Sequence, residues 1–274
     1  MSASSSALST AGFDFIAGLA RSRSGIVLTP DKAYMMETRL SPLIRRAGLG
    51  SLDELVLKLR GPRAEKLTQE VVEALTTNES FFFRDGKPFE HLRRFLPTLR
   101  AARGPGTRLR VWSAACSSGQ EAYSIAMILQ ELGLQAGPAE ILGTDISMEM
   151  VERARSGVFT QFEVQRGLPV QLLVKHFRQI EGGRWQIADA LRAAAEFRFW
   201  NLLDDPRSLG RFDAIFCRNV LIYFDTETKT RVLDRLAGLL LPGGVVYLGG
   251  AETVLGLTTR LVPVPGERGA YVVA

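Results

Sequence analysis

Val111-Trp112-Ser113-Ala114-Ala115-Cys116-Ser117-Ser118-Gly119-Gln120-Glu121-Ala122-Tyr123-Ser124-Ile125-Ala126-Met127 reads as an apolar strand, a turn of very small residues and an amphipathic helix. Small residues at the end of a strand let a ligand approach the backbone, and the N–H groups that open the next helix face it. The details argue against a phosphate. A Walker loop needs Gly-Lys-Ser/Thr and a dinucleotide fingerprint needs three glycines, whereas here only Gly119 is present and no Lys follows. The nearest charge is Glu121, which repels phosphate and can pair with an ammonium. A nucleotide-type cofactor with an amino-acid end fits this pattern better.

Working outward, Ile141-Leu142-Gly143-Thr144-Asp145 is a short apolar strand ending in an acid, about one βα unit further on. A carboxylate there can accept both hydroxyls of a ribose. It can equally be an N-cap for a helix over Ser147 to Arg155. Then follow the strand Phe212 to Val220, a helix from about Thr226 to Leu240, the turn Leu241-Pro242-Gly243-Gly244 and the strand Val245 to Leu248. This order resembles the close of a class I S-adenosylmethionine methyltransferase. The fold class implied is α/β: a Rossmann-like mixed sheet with a helical N-terminal domain and a small antiparallel β insertion.

With 274 residues and 46% hydrophobic content, the chain can hold one α/β domain plus a smaller unit. No apolar run reaches eighteen residues, and Met1 to Thr10 has neither a basic start nor an apolar core, so no membrane insertion, no secretory signal and a cytoplasmic location are expected. Cys116 and Cys217, each at the end of an expected central strand, read as small reduced core residues. The net charge of +5 is all N-terminal: residues 1–106 carry 16 Lys/Arg against 11 Asp/Glu, and residues 107–274 carry 18 of each. A basic unit beside a neutral one suggests an acidic macromolecular partner. Nucleic acid is not expected, because no RNA-binding signature or aromatic-interleaved basic patch occurs.

From Phe13 to about Leu75 the pattern is helical, with apolar faces on Phe13, Ile16, Leu19 and Ala20 and on Leu52, Leu55, Val56 and Leu59. Ser51 and Glu54 stand at capping-box spacing. Pro30-Asp31 opens a helix through Arg39, which Pro42 must kink or restart with Ser41 as a new N-cap. Lys32, Arg39 and Arg46 recur every seven residues and share a helix face, joined by Arg45. That face is either a docking surface or an ordinary solvated one. The expected boundaries are a helical docking domain over 1–87, a linker helix and boundary over 88–106 ending in Gly104-Pro105-Gly106, and a cofactor domain over 107–274. A hairpin around Gly182-Gly183 marks the β insertion, at about 176–196, before a strand from Phe197 to Leu202.

One stretch narrows the reading. Thr77-Asn78-Glu79-Ser80-Phe81-Phe82-Phe83-Arg84-Asp85 resembles the T-N-E-T-x-F-F-R-D signature of the CheR-type chemotaxis receptor methyltransferases. Ser113 to Ala126 is similar to that family's S-A-A-C-S-T-G-E-E-P-Y-S-I-A, and Cys217 to Asp225 matches its C-R-N-V-L-I-Y-F-D. The resemblance implies methyl transfer from S-adenosylmethionine to glutamates of chemotaxis receptors, giving glutamyl methyl esters and S-adenosylhomocysteine, with no metal. It implies cofactor contacts at Asn78, Ser80, Arg84, Glu121, Asp145, Asn201, Leu202, Arg218 and Asn219, and catalytic places beside the methyl for Arg84 and Tyr223. Ser80, Gln120 and Ala122 replace the family's Thr, Glu and Pro, and Gly249-Gly250-Ala251-Glu252-Thr253 departs from its G-H-S-E pattern, leaving the role there open. The expected partner is an acidic helical surface of a receptor's cytoplasmic region, met by a monomer. The short hairpin resembles that of members which need no receptor C-terminal pentapeptide.

The implied chemistry suits the residues present. A glutamate of pKa about 4.3 is ionised at neutral pH and needs no base to attack a sulfonium methyl. Histidine is confined to His91 and His176, neither in a motif. Water exclusion and in-line alignment then carry the catalysis. Arg84 and Tyr223 act as orienters. The competing readings are a class I methyltransferase with another acceptor and a cofactor-binding regulator without turnover.

Overall fold

The computed structural model describes residues 9–104, 107–134 and 139–274, so Met1 to Leu8 and the Pro105-Gly106 part of the expected boundary lie outside the described residues. Its contacts divide the chain into two units. One comprises Met1–Thr77 with Tyr223–Asp225, the other Asn78–Ile222 with Thr226–Ala274.

The first unit is helical: α1 (Thr10–Ser24), α2 (Ala33–Arg46), α3 (Leu52–Leu59) and α4 (Glu65–Leu75). Their apolar stripes meet in one core, including Phe13, Ile16, Met36, Leu40, Leu55 and Val71. Ser9 caps α1 by accepting from Gly12 N–H, and Gly25 closes it in the left-handed region. Ser51 accepts from Glu54 N–H as its spacing predicts, but Glu54 reaches back to Gly50 N–H rather than to Ser51. Helix α2 differs from expectation. Pro30–Lys32 forms a separate 3-10 turn, and α2 runs unbroken through Pro42. Ser41 is no N-cap; its hydroxyl donates to Glu37 O at 2.7 Å, the local bond open to a Ser inside a helix. Tyr223–Asp225 is held in this unit, with Val27 N–H donating to Tyr223 O and Arg21 paired with Asp225 at 2.7 Å.

The second unit opens with α5 (Lys87–Arg103), β1 (Leu109–Ala114), α6 (Gln120–Glu131), β2 (Ala139–Asp145), α7 (Met148–Ser156), β3 (Val158–Phe159), α8 (Gln161–Gln165) and α9 (Val170–His176). It continues with β4 (Phe177–Ile180), β5 (Arg184–Ile187), α10 (Asp189–Ala193), β6 (Ala195–Phe199), β7 (Phe212–Cys217), α11 (Thr226–Leu239), β8 (Leu240–Leu248), β9 (Leu261–Pro263) and β10 (Ala270–Val273). The main sheet has the order β6-β2-β1-β7-β8-β10-β9, parallel from β6 to β8 and antiparallel beyond. The chain leaves β1 toward β2 and returns as β7 on the other side, so the order reverses at β1. A ligand crevice belongs outside the carboxyl ends of such neighbouring strands. Strands β1 and β7 are almost wholly buried, as apolar runs covered on both faces must be.

Three boundaries differ from the sequence expectation. The units part between Thr77 and Asn78 rather than near 87, because Phe82 and Phe89 pack into the core of the second unit. The small sheet, β3-β5-β4, starts at Val158, earlier than 176, while Ala195–Phe199 joins the main sheet beside β2 and ends before Leu202. Pro242-Gly243-Gly244 lies within β8, where pairing jumps from Phe212↔Leu240 to Ala214↔Val245. The extra residues bulge out of register, with Gly243 at φ 73°. No helix among the described residues is long and apolar enough to cross a membrane.

Candidate functional site

The turn after β1 alternates into the left-handed region at Ala115 (φ 58°), Ser117 (φ 50°) and Gly119 (φ 94°). Non-glycine residues rarely stay there unless other bonds hold them. Asp145, 5% exposed at the end of β2, supplies one such bond: its Oδ2 accepts from Ser117 N–H at 2.8 Å. Its Oδ1 accepts from Ser147 N–H at 2.9 Å. The N-cap of α7 is Ser147 itself, which accepts from Met150 N–H. Ser117 Oγ donates to Asn78 O at 2.7 Å, tying the turn to the 77–85 stretch.

Arg218, just past β7, is the central cation. Its side chain is 2% exposed, with Nη1 donating to Glu121 Oε2 at 3.0 Å and Nη2 to Asp85 Oδ2 at 2.7 Å and Arg84 O at 2.6 Å. Its guanidinium lies 5.5 Å from the Phe89 ring centroid, and its Nε has no hydrogen-bond partner among the described residues. Glu121 also accepts from Ser113 Oγ at 2.7 Å. Glu121, read from the sequence as a partner for an ammonium, is paired here with Arg218. One buried guanidinium joins all three quoted stretches, through Arg84 and Asp85, Glu121, and Arg218 itself.

The 77–85 stretch divides its aromatic residues among tasks. Phe82 is buried edge-on to Phe159 and Phe177, with centroids 5.0 and 5.6 Å away. Phe83, at φ 50°, donates its N–H to Ser124 Oγ and packs against Phe89. Phe81 carries the guanidinium of Arg84 at 5.3 Å and that of Arg166 at 4.9 Å. Arg84 also donates to Glu79 O at 2.9 Å. Arg166 pairs with Glu79 at 2.8 Å, and its hydrogen bond and charge hold that carboxyl below the usual range. Trp200 N–H donates to Asp145 O, so Asn201 and Leu202 follow directly beside that carboxylate's strand. Asn201 Oδ1 accepts from Leu203 N–H at 3.0 Å.

Two thiols report how the acids converge. Burial, then the charges of Asp145 and Glu121, push the Cys116 thiol well up, and burial with Glu252 and Glu121 does the same to Cys217. Both cysteines are free. Neither histidine belongs to this network. His91 Nδ1 bonds Tyr247 Oη at 2.7 Å, His176 is buried, and burial depresses the pKa of both.

The structure separates the basic residues of the first unit. Arg39 is half-buried and committed: it donates to Leu75 O at 2.6 Å, Thr76 O at 2.9 Å and Thr77 Oγ1 at 2.9 Å, satisfying the carboxyl end of α4. Arg46 is exposed, 3.7 Å from Glu70, and Lys32 and Arg45 are exposed. Tyr223 is half-buried and packs against the helical core.

Sequence reasoning gave no role to Asp85, Arg166 or Glu252. Asp85 lies inside the quoted signature, where its charge beside Arg84 is the only signal. Glu252 stands in the stretch whose role was left open, and its four backbone bonds depend on a neighbouring loop that no local pattern displays.

Residues 78–270 match the CheR methyltransferase, SAM binding domain, and residues 11–76 match the CheR methyltransferase, all-alpha domain. Chemotaxis protein methyltransferase 1 of Pseudomonas aeruginosa is 45% identical over 236 residues, covering 84% of this chain and 85% of that protein. Chemotaxis protein methyltransferase Cher2 of Pseudomonas putida is 42% identical over 238 residues, 85% and 86% of the two chains. The chemotaxis protein methyltransferase of Vibrio parahaemolyticus is 41% identical over 245 residues, 87% and 88%. With both domains matched in order and relatives alike over most of their length, the chain belongs to the CheR methyltransferase family.

Proposed function

We propose that this S-adenosylmethionine-dependent methyltransferase esterifies glutamate side chains in the cytoplasmic region of chemotaxis receptors. The observation that carries the reading is the buried Arg218, which binds Arg84 O, Asp85 and Glu121 at once and so joins the three signature stretches. The residue set fits the cofactor. Arg84 and Arg218 against Asp85, Glu121 and Asp145 leave one net negative charge. S-adenosylmethionine, with ammonium, sulfonium and carboxylate, carries one net positive charge. Asn78, Ser80, Asp145, Asn201, Leu202 and Asn219 would hold its nucleoside and amino-acid parts, with Asp145 taking the ribose hydroxyls. When bound, the cofactor supplies an electrophilic sulfonium methyl.

The protein's part is orientation. Arg84, braced on Phe81 and on Glu79 O, holds a carboxylate, and the Tyr223 phenol hydrogen-bonds the attacking group. An ionised glutamate attacking a sulfonium neutralises charge, so no side chain has to remove a proton. His91, bonded to Tyr247, and the buried His176 stand outside the residues assigned to the reaction.

Recognition is assigned to Lys32, Arg45 and Arg46, whose charges attract an acidic helical receptor surface. The β4–β5 hairpin turns over Glu181–Gly183, only three residues, which supports recognition without a receptor C-terminal pentapeptide. The decisive experiment incubates the enzyme with methyl-labelled S-adenosylmethionine and a receptor cytoplasmic fragment. Base-labile label released as methanol is expected. Base-stable label would move the acceptor away from carboxylates, and no transfer despite cofactor binding would favour a regulator. Titration with an aromatic-acidic pentapeptide checks the hairpin: micromolar binding there would overturn tether independence.

A further inference from the structure

The loops that follow β7 and β8 are joined by one side chain. Glu252 Oε2 accepts the N–H groups of Asn219 at 2.9 Å and Gly249 at 2.6 Å, and Oε1 accepts those of Val220 at 3.0 Å and Ile222 at 3.3 Å. Four main-chain donors thus occupy the four lone-pair positions of one half-buried carboxylate. The loop needs that support. Asn219 sits at φ 59°, in the left-handed region that disfavours residues with a Cβ. The N–H groups opening the 3-10 turn Leu221–Tyr223 have no carbonyl of their own turn to meet. Successive N–H groups aimed at one point form an anion-binding concavity, and here the anion is built into the chain. Gly249 completes the junction. A Cβ at that position would stand 2.8 Å from both Asn219 Nδ2 and Glu252 Oε2 and 2.9 Å from Asn219 N, so any larger residue forces the junction to shift.

On the amino side of Asn219, Arg218 is fixed by Asp85, Glu121 and Arg84 O. On the carboxyl side, Glu252 holds the N–H groups of Val220 and Ile222, and just beyond them Tyr223 O accepts from Val27 N–H. We propose that Glu252 is a positioning residue for methyl transfer: its carboxylate holds the backbone from Asn219 to Ile222, and so sets the direction of the Asn219 side chain. The inference rests on the role given above to Asn219. It assigns Glu252 no contact with substrate or cofactor.

The isosteric variant Glu252→Gln separates this role from space filling, because a glutamine carbonyl accepts at most two of the four N–H groups and its amide nitrogen opposes the other two. Hydrogen exchange of the 218–223 peptide, followed by mass spectrometry, should quicken by about tenfold or more in E252Q and in Glu252→Ala. Affinity for S-adenosylhomocysteine should fall by about tenfold, the scale of one or two lost hydrogen bonds. With receptor fragment, kcat should drop by about 10²-fold with receptor KM unchanged, the cost of a small misplacement of reacting groups. Wild-type exchange and wild-type kcat in E252Q would overturn the proposal. Exchange needs neither receptor nor turnover, so its result stands apart from the choice of methyl acceptor. Should E252A fail to fold, E252Q with Gly249→Ala, which strains the same junction from the other loop, gives the same reading: quickened exchange at 218–223 supports the clamp and unchanged exchange in both refutes it.

Discussion

Glu121→Gln tests the Arg218 junction most directly. The glutamine keeps the shape of Glu121 and an oxygen for the Ser113 hydroxyl, but removes the charge 3.0 Å from Arg218 Nη1. At that distance and an effective dielectric of about 20, two unit charges attract by roughly 5–6 kcal/mol. That gross attraction does not appear in full. Asp85 remains at 2.7 Å, but its side chain is 46% exposed, so solvent screening holds its compensation to about 1 kcal/mol. Glu121 is 12% exposed and Arg218 2%, so the lost partner leaves a cation that water cannot reach. A net cost of about 3 kcal/mol follows, at the lower edge of the range for removing one member of a buried pair.

In a chain of this size that corresponds to a drop of about 6–12 °C in the melting of the catalytic unit. Arg218→Met, which can pack on Phe89, separates charge from shape, and the double variant closes the cycle. A coupling energy of about 2 kcal/mol or more between the two sites is expected from urea titrations. Coupling under about 0.5 kcal/mol would refute the claim that this ion pair organises the junction, whatever the single variants do.

Asp145→Asn should weaken S-adenosylhomocysteine binding by about 1.5–3 kcal/mol, read by calorimetry, and unchanged affinity would remove the ribose assignment. Gly167→Ala places a Cβ 2.0 Å from Phe82 O at φ 77°, so loss of soluble protein or more than about 3 kcal/mol of stability is expected. Gly183→Ala, with nothing within 4 Å at φ 67°, should cost only about 1–2 kcal/mol of backbone strain; equal losses in the pair would show that the close approach is not what matters. Replacing Lys32, Arg45 and Arg46 by Glu should raise receptor KM and leave cofactor affinity intact. Added salt should mimic it, as attraction is screened beyond about 8 Å at physiological ionic strength. Arg39→Ala should instead lower stability by about 1–3 kcal/mol through its lost bonds to α4.

Alkaline titration gives a further check. Cys116, Cys217, Tyr123 and Tyr247 all have pKa values raised chiefly by burial. The folded chain therefore holds these protons more tightly than the unfolded chain. Their contribution to stability is full below the ordinary thiol value near 9.0 and declines as pH rises above it. A melting temperature flat from pH 9 to 11 would contradict the burial of these groups.

The parts of the fold and site that were legible in the sequence are those where one segment carries its own signal. β1, its small-residue turn and α6 are written within residues 109–131, and β2 ends in Asp145 as its apolar run predicts. What escaped was set by neighbours distant in sequence. Pro242-Gly243-Gly244 looks like a turn locally, yet Phe212 pairs with Leu240 and pulls the segment into the strand. Seven-residue spacing put Arg39 on a docking face, while the end of α4, 36 residues later, claims its guanidinium. Glu121 beside a small-residue turn suggests a partner for an ammonium. The cation it meets first is Arg218, 97 residues away.

Under a sulfonium cofactor, any nearby nucleophile competes with the substrate, and the two cysteines are the strongest candidates. A thiolate is the reactive form of cysteine, and burial in apolar surroundings suppresses it. Here burial acts together with the acids themselves: Asp145 and Glu121 raise Cys116, while Glu252 and Glu121 raise Cys217. The acids assigned to cofactor and loop thus also keep the thiols protonated. A receptor glutamate needs no such activation, being ionised at neutral pH. In the proposed site, the acids that would meet the cofactor's net positive charge are thus the same ones that keep both thiols out of their nucleophilic form.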